Sequence, residues 1–105
     1  MQAITSNKQF NDLVAGGKPF VIDFYADWCG PCQALLPTVE KLAEEYHGEV
    51  DIVKVNIDEQ RALAEKFGVR SIPSLFFLEG NQIKDSLKGM TSEHELRKRI
   101  SKLVA

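Results

Sequence analysis

One stretch constrains this chain more than any other. Residues 20–26 read Phe-Val-Ile-Asp-Phe-Tyr-Ala, a nearly continuous apolar run rich in strong β formers. A strand with one wet face alternates apolar and polar residues, whereas a run like this suits a central strand covered on both faces. Such a strand needs helices on either side of its sheet. Its only interruption is Asp23.

The clearest helix follows at once. Leu35, Leu36, Val39, Leu42, Ala43 and Tyr46 recur at helical spacing, and one turn back the stripe reaches Cys32. Pro31 suits the first helical position, where a missing N–H costs nothing. Pro37, inside the stripe, predicts a kink and not a stop. Earlier, Ala3–Thr5 reads as a short strand. Ser6–Gln9 is a capping box for a helix carrying Phe10, Leu13 and Val14, stopped at Gly16-Gly17. Later, Val50–Ile57 reads as a strand, and Asp58 as the N-cap of a short helix ending at Phe67-Gly68. Ser74–Glu79 and Gln82–Leu87 flank Gly80-Asn81, a hairpin signal, with Lys84 and Asp85 marking the second strand as an exposed edge. Ser92–Glu95 opens a last helix striped by Leu96, Ile100, Leu103 and Val104. Its early Glu93 and Glu95 and later Lys98, Arg99 and Lys102 complement the helix dipole. The order strand, helix, strand, helix, strand, helix, strand, strand, helix predicts an α/β fold with a mixed sheet and helices on both faces. No repeat or linker divides the 105 residues, so 1–105 is read as one domain.

The charge balance, 13 Lys and Arg against 15 Asp and Glu, gives no reason to expect nucleic acid or an anionic membrane as partner. The longest apolar run, Leu75–Leu78, is far too short to span a bilayer. Met1-Gln2-Ala3 leads straight into polar residues, so no signal peptide is expected and the cytoplasm is the expected location.

Two cysteines are far too few for a disulfide scaffold, yet both sit together as Cys29 and Cys32. Zinc needs four ligands, and although His47 lies at a finger-like distance, His94 is too remote for the set to close locally. A c-type haem attachment needs His directly after the second cysteine, where Gln33 stands. A structural disulfide closing a loop of about four residues stabilises by only ~2 kcal/mol, a weak staple. Two unrelated buried thiols fit poorly, because Cys29 falls outside the apolar stripe. The redox reading uses the same geometry positively. Unpaired N–H groups and the dipole at a helix N-terminus stabilise a thiolate. Cys29 is then the exposed nucleophile, and Cys32, on the buried stripe, the shielded resolving thiol.

The segment Phe24-Tyr-Ala-Asp-Trp-Cys-Gly-Pro-Cys32 closely resembles the active-site segment of the thioredoxin family. The resemblance extends over the chain through Val21-Ile-Asp-Phe24, Lys54-Val-Asn-Ile-Asp58, Phe67-Gly-Val-Arg-Ser-Ile-Pro-Ser74 and Gly89. It implies a three-layer fold with a five-stranded sheet ordered 1-3-2-4-5, the first three strands parallel and the last two antiparallel, and four helices. It also implies a monomeric protein-disulfide reductase that needs no cofactor beyond a redox-active Cys29–Cys32 disulfide. Its partners would be disulfide-containing proteins and a thioredoxin reductase. Departures are modest: Tyr25 where many members have Trp, Gln33 where Lys or Arg is common, Ser74 for a frequent Thr, and Gly80-Asn81 for Asn-Gly.

The resemblance also distributes roles. Asp23, flanked by apolar residues, would be a buried carboxyl of raised pKa that exchanges the Cys32 proton through water. Lys54 is its charge partner, against the alternative of a snorkelling surface lysine. The Ile72–Pro73 bond, which X–Pro statistics alone would make trans, is cis in the family and lies against the cysteines. Trp28, Gly30, Pro31, Ile72, Pro73, Gly89 and Met90 would form a shallow docking surface, with the Ile72 backbone pairing with an extended substrate. His47 and His94 are expected to face solvent. Two rivals share the fold. An oxidase or isomerase is disfavoured because relatives of that kind commonly carry His before the second cysteine, where Pro31 stands. A redox-inert binding subunit would use the patch around Trp28.

Overall fold

The computed structural model describes residues 1–105. In chain order its elements are β1 (Gln2–Ala3), α1 (Asn7–Ala15), β2 (Pro19–Tyr25), α2 (Gly30–Glu45), β3 (Asp51–Asn56), α3 (Arg61–Lys66), β4 (Ser74–Glu79), β5 (Gln82–Lys88) and α4 (Glu93–Val104). The sheet runs β1-β3-β2-β4-β5. β1, β3 and β2 are parallel, β4 is antiparallel to β2, and β5 is antiparallel to β4. The apolar run at 20–26 is thus the middle strand, paired with β3 at Asp23↔Lys54 and with β4 at Asp23↔Leu75.

Its two faces pack differently. Phe20, Ile22 and Phe24 join Phe10, Val53, Val55, Leu63, Phe76 and Leu78 on the side of α1 and α3. There Phe24, Phe67 and Phe76 meet with centroids 5.0–5.6 Å apart, within the range aromatic pairs favour. On the other side Val21, Ile52, Leu75 and Phe77 pack against Leu35, Val39 and Leu42 of α2 and Leu96 and Ile100 of α4. Side chains alternate along a strand, so Asp23 and Tyr25 point to this second side, as do Lys54 and Asn56 of β3.

The helix starts follow the expected chemistry. Ser6 and Ser92 accept the backbone N–H of Gln9 and Glu95 at 3.2 and 3.1 Å. The Gln9 side chain reaches back one residue further than a capping box requires, to the N–H of Thr5. α2 runs through Pro37 without a stop. One expected cap fails: α3 starts at Arg61 after Gln60, which makes no side-chain cap. Asp58 lies in the preceding turn, where its own N–H and that of Glu59 are taken by Asn56 Oδ1. Gly80 turns the β4–β5 hairpin at φ +60°, a conformation that favours glycine. β5 is an open edge, with a register shift at Phe77/Leu78.

Candidate active site

The site forms where β2 ends and α2 begins. Cys29 is the N-cap of α2, and its Sγ accepts the Cys32 N–H at 3.2 Å. Pro31 sits in the first turn, so its missing N–H leaves no gap in the ladder. Cys29 and Cys32 are joined as a disulfide, with Cα atoms 5.2 Å apart. Helical register alone made Cys29 the exposed thiol, and here the structure corrects it. Cys29 is only 5% exposed, little more than Cys32 at 2%. The cover comes from elsewhere in the chain: Tyr25, Ile57 and Ile72 pack on the pair with Ala26. Cys29 Sγ lies 3.9 Å from the Ile72 carbonyl oxygen. The two cysteines differ in what surrounds them, one at the helix tip beside Ile72 and one inside the first turn, more than in contact with solvent.

The Ile72–Pro73 peptide is cis, as the resemblance implies. The Pro73 carbonyl accepts the Gly89 N–H at 2.8 Å, which ties the loop after β5 to the segment beside the cysteines. Gly89 has φ +85°, a backbone conformation that disfavours other residues there. Trp28 is 68% exposed and Met90 57%, so neither is a core residue. The Trp28 indole N–H donates to Asp58 Oδ2 at 2.8 Å, which fixes the ring at the surface. Gly30 and Pro31 are exposed beside it, while Pro73 is buried and Ile72 half-buried. Sequence reasoning gave Asp58 to a helix cap and overlooked Asn56. The signal available was an Asn two residues before an Asp at a strand end, the pattern of a side-chain-closed turn.

Asp23 is 1% exposed, and its Oδ1 has no hydrogen-bond partner. Burial pushes its pKa up to about 7, opposed by the positive charge of Lys54. A carboxyl so placed exchanges a proton near neutrality. Lys54 is half-buried on the same face of the sheet, and its Nζ lies 5.5 Å from the centroid of the Tyr25 ring. Gln33, in the position where a cation is common, directs its amide toward the Ala26 carbonyl. His47 and His94 are exposed, and no three His, Cys, Asp or Glu side chains converge to hold a metal ion.

Comparison with known proteins agrees with this geometry. The thioredoxin family model matches residues 1–102. Thioredoxin 1 of Chlorobaculum tepidum is 41% identical over 95 residues, covering 90% of this chain and 94% of that one. The chloroplastic M-type thioredoxin of Pisum sativum is 35% identical over 102 residues, 96% of this chain but 59% of that longer relative. The solved structure of Malassezia sympodialis thioredoxin superposes with a TM-score of 0.92 at 35% identity, covering 100% of this chain and 91% of that one. With a disulfide between Cys29 and Cys32 at the tip of α2, the chain belongs to the thioredoxin family and is a dithiol–disulfide oxidoreductase.

Proposed function

We propose that this protein works in the reducing direction, opening disulfides in target proteins and being returned to its dithiol form by a separate reductase. The observation that carries the thiol chemistry is the Cys32 N–H aimed at Cys29 Sγ from the N-terminus of α2, and Pro31, where oxidising relatives commonly carry His, favours the reducing direction. In the reduced protein the same N–H and the helix dipole stabilise a Cys29 thiolate. That thiolate attacks one sulfur of a target disulfide. A Cys29–target bond forms as the target S–S bond breaks, and the second target sulfur leaves as a thiolate that takes a proton from water. Cys32 passes its proton through water to Asp23 and attacks Cys29 Sγ. The mixed disulfide breaks, and the target sulfur leaves as a thiolate that takes that proton from Asp23 through water. The target departs as a dithiol, and the Cys29–Cys32 disulfide holds the two electron equivalents of oxidation.

Trp28, Gly30, Pro31, Ile72, Gly89 and Met90 form the surface on which a target rests, while Pro73, expected to share it, is buried and supports Ile72 from beneath. The Ile72 backbone offers an extended segment a strand-like partner. In the family the reductase is thioredoxin reductase, and its flavin and NADPH supply the electrons, so no cofactor is assigned to this chain. We place it in the cytoplasm as a monomer. Both of its cysteines are used by the redox pair, the cysteine economy of a reducing compartment.

The decisive assay is reductase-coupled reduction of a disulfide-bonded protein, compared with Cys29→Ser. Wild-type turnover with none in the variant supports the reading, and equal rates overturn it. Cys32→Ser should accumulate covalent target complexes through Cys29. Equal trapping by Cys29→Ser would reverse the roles of the two thiols.

A further inference from the structure

Tyr25 has no part in the thiol chemistry described so far, yet it touches the cysteine pair and Lys54. It packs on the Cys29–Cys32 cluster and lies two residues from Asp23 on the same face of β2. Its ring also meets the ammonium of Lys54, whose Cα is in register with Asp23. Lys54 makes no ion pair with Asp23 and lies over the ring instead. That placement matters. A contact ion pair would favour the Asp23 carboxylate more strongly, and a cation free in water would favour it less.

We propose that Tyr25 is a positioning residue for the resolving step: its ring face seats Lys54 at a set distance from Asp23, and so keeps that carboxyl ready to take the Cys32 proton. The proposal rests on the reading in which Asp23 exchanges that proton. The surroundings leave few competitors. From β3 comes Lys54, and from the turns after β2 and β3 come Asp27 and Glu59, which lie near the Tyr25 hydroxyl. From β4 the residue opposite Asp23 is Leu75, and the buried side of α2 carries Cys32, Leu35, Val39 and Leu42 but no charge. Burial, followed by the Asp27 carboxylate, raises the pKa of Tyr25, so the ring presents the neutral π face that a cation favours.

The test reads Asp23 directly, by following its side-chain carboxyl carbon by NMR against pH in the oxidised protein. Lys54→Met should move the midpoint upward. Tyr25→Leu should move it the same way, by about half a unit. Tyr25→Phe, which keeps a ring, should move it less than Tyr25→Leu. The double variant Tyr25→Leu/Lys54→Met should shift no further than Lys54→Met alone, because the ring acts through the lysine. A downward shift in Tyr25→Leu, the mark of water merely entering the site, would overturn the proposal. So would an unmoved midpoint, a phenylalanine variant as affected as the leucine one, or additive shifts. Tyr25→Met, ringless but of similar reach, gives the same reading where the leucine variant does not fold. The titration needs no turnover, so absent reductase activity would refute the proposed function without touching this result.

Discussion

Lys41, Glu45, Glu93 and Arg97 tie α2 to α4 through a chain of ion pairs at the surface, while Asp23 lies alone beneath α2 with an unpartnered oxygen. Arg97 donates to both Glu45 and Glu93, and Lys41 reaches Glu93 at 3.1 Å. By count of contacts the surface cluster dominates. By consequence Asp23 does. Charges in high-dielectric surroundings gain little from pairing, whereas removing one carboxylate from water is costly unless it takes up a proton. The two regions also respond to acid in opposite senses. Hydrogen bonds from Arg97 hold Glu45 and Glu93 below the ordinary carboxylate range, so their contribution is present above it and is lost as pH falls through their lowered values. Asp23 has a raised pKa, so in the folded protein it keeps a proton that the unfolded chain has already released. Its effect is a loss of stability as pH rises from about 4 to about 7, flat thereafter.

The largest effect that would sharpen this contrast is Asp23→Asn in the oxidised protein. A shift from 3.8 to about 7 corresponds to about 4 kcal/mol at pH 8. Denaturant titrations should therefore show the variant more stable than wild type by up to that amount at pH 8, with the gap closing by pH 4. A gap independent of pH would mean that packing, not ionisation, explains it. The same variant should resolve mixed disulfides about 10²-fold more slowly, the lower end of what a positioned base contributes. Rapid-quench measurement of target release from a preformed Cys29 adduct checks this, and an unchanged rate would remove Asp23 from the mechanism. The smallest effect belongs to the crowded cluster. Arg97→Met should lower the unfolding midpoint slightly in dilute buffer and by less in 1 M salt, where screening reaches about 3 Å. A loss as large as the gain expected for Asp23→Asn, or one insensitive to salt, would break the comparison.

What could be read from the chain beforehand follows the range over which each feature is determined. Leu35, Val39 and Leu42 declared α2 because a helical stripe is a local pattern, and both serine caps needed only residues three apart. Asp23 was legible as buried because its neighbours on either side are apolar. Exposure at Cys29 was not, since Ile72 and Ile57, far along the chain, provide its cover. Asp58 was assigned to a helix cap because sequence cannot show that Asn56 takes the turn or that the Trp28 indole claims its carboxylate. The cis bond before Pro73 had no local signature and came only from the family resemblance. The Lys54–Tyr25 contact is a cross-strand matter, invisible until the register of β2 on β3 is known.

That register has a further consequence, for the order in which the molecule can come into being. The central strand is made early, yet both strands that flank it, β3 and β4, follow it in the chain. β1 likewise finds its partner only when Gln2 meets Val53. A nascent chain therefore carries Phe20 to Tyr25 with at least one adhesive edge open until residues beyond Leu78 have left the ribosome, and only the β4–β5 hairpin closes locally. During that interval the charge of Asp23, a burden in the finished protein, is the one solubilising group on the stickiest stretch of the chain.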